Sequence, residues 1–336
     1  MNMTIQHQYI ERESGAVRTE KLYGDRFIRF LYNGVRENAP ILFRLCTSSH
    51  MSSILGHINF DNPLAAGLAG NRRFLDECGV DLGECLEKAE FFDTQRKVFE
   101  RQIHYWECRP MEEDACAVVS PADARVLVGS FRDASLLFLK EKFFHYEEFL
   151  GHGRPWLDAF AGGDFAIFRL TPDKYHYNHT PVAGRVVDIY EIAGGYHSCN
   201  PGAVVEVVTP YSKNKRVVTI FDTDVPGGTG VGLVAMVEVV AMMIGEIVQC
   251  YSGSRYDDPV AVKPGMFLAK GAPKSLYRPG SSTDVVIFQQ GRISFAEDLV
   301  RNMYSANIES RFSLGFGRPL VETDVKVRST IARGLQ

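Results

Sequence analysis

With 336 residues, 45% of them apolar and 23% charged, the chain can bury a large core as one big domain or two smaller ones. The composition is that of a soluble globular protein, and a formal charge of −4 gives no general attraction to nucleic acid. Seven cysteines without a C-x-x-C pair exclude a complete disulfide framework and fit a reduced, cytoplasmic setting.

The first 25 residues are polar and predict no signal peptide. From Phe27 to about Glu107 the signals are mostly helical, as in Phe27–Leu31, Ile41–Leu45 and the charged amphipathic run Leu82–Tyr105. Between Arg26 and Phe60, four arginines (26, 29, 36 and 44) stand against one acid, Glu37, among Phe, Ile and Leu. A basic amphipathic stretch of this kind suits the headgroup layer of an anionic membrane, and equally an ordinary helix packed on the rest of the chain. The character changes near residue 108. Beyond Pro110, strands are expected at Ala117–Ser120, Arg125–Val128, Phe165–Leu170, Arg185–Ile192, Ala203–Val208, Arg216–Phe221, Val231–Val240 and Asp284–Phe288. One helix, about Ala134–Leu150, interrupts them. The longest apolar run, Val231–Ile244, contains Glu238 and falls short of the roughly 20 residues a membrane helix needs, so it is expected as buried strand. The fold class is therefore α+β. A helical N-terminal region, residues 1–108, packs on a larger β-rich, barrel- or sandwich-like domain, residues 109–336.

Several constellations could carry chemistry. Gly227-Gly228-Thr229-Gly230-Val231-Gly232 has the glycine density of a dinucleotide loop, but the Val-rich residues after it look like strand rather than helix, so a turn is expected. His176 and His179, with His197, could offer three nitrogens to zinc. No acid or thiolate falls at close spacing, and no metal is expected. Ser281-Ser282-Thr283 follows Pro279-Gly280 and precedes the apolar Val285–Phe288. Upstream lie the pair in Tyr175-His176-Tyr177-Asn178-His179 and the acid of Ser120-Pro121-Ala122-Asp123. A hydroxyl, a base and an acid are the parts of an activated nucleophile, though by composition each is also an ordinary turn residue. No G-x-S-x-G elbow is present around either serine.

The surroundings of these residues carry further pattern. Asp123 leads into Arg125-Val126-Leu127-Val128, and Phe165–Leu170 is followed by Asp173-Lys174-Tyr175-His176. Ser198-Cys199-Asn200-Pro201, Met236–Val239 with Ile244–Ile247, Lys270-Gly271 and Gly315–Leu320 complete it. Together these stretches, from about Phe30 to Thr323, resemble the phosphatidylserine decarboxylase family of pyruvoyl enzymes. The cleavage turn departs from the family's Gly-Ser-Thr or Gly-Gly-Ser-Thr, because Ser281 stands where the second glycine is usual. The six-residue spacing from Ser282 to Phe288 favours Ser282 as the reacting serine, with Ser281 as the alternative. Val240 and Ala124 stand where the family usually has glycine.

The resemblance implies a zymogen that cuts its own backbone near 281/282 and turns the serine into a pyruvoyl cofactor. It implies His179 as the base for that attack, oriented by Asp123, and His176 as the group that returns a proton to the substrate carbon. The pyruvoyl carbonyl would form a Schiff base with the substrate amine and act as an electron sink. The expected reaction is phosphatidylserine to phosphatidylethanolamine plus CO2; a soluble amino-acid decarboxylase on the same scaffold is the alternative. The expected partners are the chain's own large and small fragments and an anionic phospholipid membrane, with a homodimer left open and no nucleic acid. The corresponding location is peripheral, on the cytoplasmic side of a membrane, or soluble in the cytoplasm for the alternative.

Overall fold

Short β-branched runs bounded by turn residues pair into sheets, and the computed structural model shows where each goes. It describes residues 6–22, 72–132, 146–206, 210–241, 246–279 and 282–335. In chain order the strands are β1 (Gln8–Glu11), β2 (Val17–Thr19), β3 (Ala117–Val119), β4 (Ala124–Ser130), β5 (Asp164–Leu170) and β6 (Tyr177–His179). Then come β7 (Gly184–Ile192), β8 (Arg216–Asp222), β9 (Leu233–Val240), β10 (Ile247–Gln249) and β11 (Phe267–Leu268). The last are β12 (Pro273–Tyr277), β13 (Ser282–Phe288), β14 (Ile293–Phe295), β15 (Thr323–Val325) and β16 (Thr330–Gly334).

Ten strands form one sheet in the order β11-β7-β8-β9-β13-β5-β4-β15-β1-β2; β10-β12-β6 and β14-β16-β3 form two smaller sheets. The large sheet is open, with β11 and β2 at its edges. The α+β class holds, and the barrel-like reading is corrected to an open sheet. β13 sits between β9 and β5, antiparallel to both, with Ser282 opposite Val240 on one side and Leu170 on the other. All seven of its residues are buried, as expected for a strand covered on both faces.

Two expectations fail for local reasons. In place of the strand expected at Ala203–Val208, Pro201–Glu206 is helix. Asn200 Oδ1 accepts from Gly202 N at 2.9 Å, and an Asn cap followed by proline at the first helical position starts a helix. The run Leu82–Tyr105 is not one helix but a 3₁₀ turn at Ala89–Phe91 and short helices at Gln95–Phe99 and Tyr105–Cys108. A turn at Asp81–Gly83 and a fresh start capped by Thr94 break it up. Its Phe92, Val98, Ile103 and Tyr105 enter a separate small core with Tyr175, Tyr177, Leu276 and Val327. That packing seats the Phe92–Tyr105 stretch on Tyr175 and Tyr177, which flank His176. The Arg26–Phe60 segment lies outside the described residues, as does most of the expected helix at 134–150, of which Tyr146–Leu150 is helical.

Candidate active site

Alternation along β13 puts Ser282, Asp284 and Val286 on one face of the sheet and Thr283 and Val285 on the other. The small sheet β10-β12-β6 lies over the first face, because Glu238 of β9, opposite Asp284, bonds Lys274 and Ser275 of β12 and Asn178 of β6. Both histidines ride on or beside β6. His179 pairs with Pro273, and the His176 carbonyl accepts from Tyr277 N at 3.0 Å. β12, which holds both histidines, ends at Tyr277, five residues before Ser282 begins β13 in the large sheet.

Ser282 Oγ is buried and has no hydrogen-bond partner among the described residues. His176 Nε2 is in the same condition. Buried polar atoms are usually paired, so an unpaired hydroxyl and an unpaired imidazole nitrogen, both of types able to react, make these two residues candidates for chemistry. The other nitrogen of His176, Nδ1, donates to the Lys174 carbonyl at 2.7 Å, and the ring packs on Phe99 at 4.6 Å. Carbonyls only accept, so Nδ1 carries the proton and Nε2 a lone pair. Burial, with Arg101 nearby, pushes the His176 pKa down to about 3.

His179 is held in the same tautomer. Its Nδ1 donates to the Gly271 carbonyl at 2.9 Å, and Nε2 accepts from the Tyr175 hydroxyl at 3.0 Å. Gly271 has φ 72°, a left-handed conformation that strains any residue with a Cβ, so glycine is favoured where the carbonyl faces the ring. Burial pushes the His179 pKa down to about 4, and the imidazole is neutral at neutral pH.

Asp123 lies close by without touching the ring: His179 N donates to the Pro121 carbonyl at 2.7 Å. The Asp123 carboxylate instead accepts from Arg109 Nε at 3.0 Å and Nη2 at 2.8 Å, and from Val327 N at 2.8 Å. Burial alone would raise its pKa, but the Arg109 guanidinium and the Val327 amide more than offset that and hold it below the usual range. Arg109 is clamped in turn by Glu84 at 2.8 Å. A cavity of about 260 Å³ opens beside this group, lined by Asp123, Arg109, Arg101, Lys174 and Tyr175 among others. Thus the structure brings Asp123 near His179 and holds His176 against Tyr277, the last residue of β12, while Ser282 heads β13 five residues further on and Ser281 lies outside the described residues. Sequence reasoning missed Arg109, Tyr175 and the Gly271 carbonyl. Gly271, in the Lys270-Gly271 pair, and Tyr175, in the histidine motif, stood inside the singled-out stretches without a role; Arg109 left no signal.

Among the described residues one His/Asp/Glu trio converges as metal ligands do, namely His7, Glu20 and Glu322. Arg169 bonds both carboxylates and Arg125 pairs with Glu20, so these oxygens are already neutralised by two guanidiniums.

The family model for phosphatidylserine decarboxylase matches residues 96–310, which span every one of the positions Asp123, His176, His179 and Ser282. The chain belongs to the phosphatidylserine decarboxylase family. A phosphatidylserine decarboxylase proenzyme of Chlamydia trachomatis is 33% identical over 317 residues, covering 91% of this chain and 95% of the relative. Its counterpart in Fusobacterium nucleatum is 28% identical over 309 residues, covering 92% and 95%. In Bordetella petrii the figure is 30% over 238 residues, covering 67% and 79%. Like these decarboxylases the chain is a carboxy-lyase by family. No described helix is long and apolar enough to cross a membrane.

Proposed function

We infer that this chain is a self-processing enzyme that converts phosphatidylserine to phosphatidylethanolamine and CO2. The carrying observation is Ser282, buried at the head of a central strand with an unpaired Oγ, together with two buried, neutral histidines held by β12, the strand that precedes it in the chain. The relatives in Chlamydia and Fusobacterium are proenzymes, which supports cleavage of this chain into a large and a small fragment.

In the cleavage step Ser282 Oγ attacks the carbonyl carbon of Ser281, and the backbone shifts from amide to ester. His179 takes the hydroxyl proton on Nε2, its only lone pair, once Tyr175 yields that position. Asp123 supports the resulting imidazolium through its charge across the site; the Gly271 carbonyl, not Asp123, supplies the orienting hydrogen bond. Elimination from the ester frees the large fragment and leaves dehydroalanine, which loses ammonia on hydrolysis to give the pyruvoyl group at residue 282. The site fits that group, since Ser282 is buried with no hydrogen bond on its Oγ among the described residues, and His176 keeps a buried, unpaired Nε2. The pyruvoyl carbonyl supplies the electron sink for the pair released as CO2 departs. His176 Nε2, unprotonated at rest, accepts a proton from the substrate ammonium and later returns it to the substrate carbon.

The basic segment Arg26–Phe60 is the proposed membrane contact, placing the enzyme peripherally on an anionic surface. The purified protein should release CO2 from phosphatidylserine in vesicles and sediment with them at low salt. Replacing Arg29, Arg36 and Arg44 by Gln should weaken both, by roughly 1 kcal/mol per charge. Turnover of a free amino acid but not of the lipid, with binding indifferent to salt, would overturn the lipid assignment.

A further inference from the structure

Asp284 is a buried acid two residues past Ser282, on the same face of β13, with no part in the cleavage or decarboxylation chemistry. It is surrounded by groups that set its protonation. From β9, Glu238 stands directly opposite; from β12 come Lys274 and Tyr277; β5 offers only Phe168. Glu238 takes the cationic help for itself, accepting from Lys274 Nζ at 2.6 Å, Gln249 Nε2 at 3.0 Å and Asn178 Nδ2 at 3.2 Å, and from Ser275. Asp284 has one partner, the Tyr277 hydroxyl at 2.7 Å from Oδ1, and its Oδ2 has none among the described residues.

Counting hydrogens decides the state of this pair. The Tyr277 oxygen accepts from Val239 N at 3.0 Å and lies 3.1 Å from the Thr283 carbonyl. A hydroxyl owns one hydrogen. Were Asp284 ionised, its Oδ1 and the Thr283 carbonyl would compete for that hydrogen. With the proton on Asp284 Oδ1, every contact is satisfied: Asp284 donates to Tyr277, and Tyr277 donates to Thr283. Burial and the facing Glu238 favour the same state, raising the Asp284 pKa well above the carboxylate range.

The geography gives the pair a purpose. Tyr277 precedes the cleavage turn, while Thr283 and Asp284 follow it. We propose that Asp284, as hydrogen-bond donor to Tyr277, is a positioning residue that clamps the new terminus at residue 282 across the cut. This rests on Ser282 being the converted residue. After cleavage the clamp joins the large fragment to the first residues of the small one, next to where the substrate carbon must sit.

The test compares full-length Asp284→Leu and Asp284→Asn, following fragment formation by intact mass, kcat against pH, and thermal midpoint against pH. Asp284→Leu should lower kcat about tenfold, the scale of one buried hydrogen bond. Asp284→Asn, whose amide N–H replaces the acid's donor, should recover most of that loss. Ionising Asp284 at alkaline pH removes the donor and sets two carboxylates face to face, so wild-type kcat should decline there while the Asn variant lacks that limb. Because the folded acid holds its proton more tightly than the unfolded chain, the wild-type midpoint should drop relative to the Asn variant as pH rises above the ordinary carboxylate range. Should Asn fail as badly as Leu, or the midpoint difference stay constant with pH, the neutral-donor role is overturned. The same holds if Leu turns over like wild type. Cleavage at the other serine would instead sink the Ser282 reading while leaving the midpoint result to judge Asp284 alone.

Discussion

Two buried polar clusters occupy opposite faces of the central strands β5 and β13. On one, Arg169 bonds Glu20 and Glu322, His7 bonds Glu322 at 2.7 Å, and Arg125 pairs with Glu20. On the other lie Ser282, His176 and His179. The first cluster is cross-linked by ion pairs and ties the terminal hairpin β1–β2 to the sheet. The second leaves Ser282 Oγ and His176 Nε2 unpaired. Both contain buried groups able to titrate, so burial alone does not mark a reactive site; the first cluster balances its charges in guanidinium–carboxylate pairs, while the second keeps a hydroxyl and a neutral imidazole nitrogen free to react.

The comparison is broken or sharpened by removing a member from each side. On the reactive face, His179→Ala should abolish self-cleavage, because the attacking hydroxyl loses its base. With a pKa near 4, His179 is neutral above that value, so wild-type cleavage should stay flat down to about pH 5 and fade as pH approaches 4. His176→Ala should still cleave and then lose about 10²–10⁴-fold in decarboxylation, checked by fragment mass and CO2 release. Uncut His176→Ala protein with intact folding would merge the two roles. On the paired face, Glu322→Ala should cost about 3–5 kcal/mol by leaving a buried guanidinium short of a partner, with cleavage preserved in the folded fraction. Burial would raise the Glu322 pKa, but Arg169 and His7 hold it at about 2, below its ordinary 4.5. Its contribution is therefore complete above about pH 4.5 and lost as pH falls toward 2, a midpoint loss the Ala variant should lack. Lost cleavage in well-folded Glu322→Ala would mean that the clusters are not separate in function.

The sequence makes most of the sheet readable, because Phe165–Leu170, Arg216–Phe221 and Asp284–Phe288 carry their β-branched character locally. The helix at Pro201–Glu206 is hidden because Ala203–Val208 looks like strand, while the deciding cap sits outside the run at Asn200. Strands β1 and β2 are hidden because they are short and mostly exposed or half-buried; what anchors them is His7 and Glu20 on their flanks, paired with Arg169 and Arg125 more than 100 residues away. Asp123, His176, His179 and Ser282 are legible through motif resemblance. Their partners are not: Arg109 reaches Asp123, and Tyr175 reaches His179, only once the small core has closed around the histidine turn.

The most direct test of the central claim is the intact mass of the purified full-length protein beside its Ser282→Ala variant. The account predicts two fragments for the wild type, the large one ending at Ser281 and the small one beginning at residue 282, lighter by one ammonia. Ser282→Ala should give one uncut chain. A boundary one residue earlier, or a variant that still cuts, would contradict it.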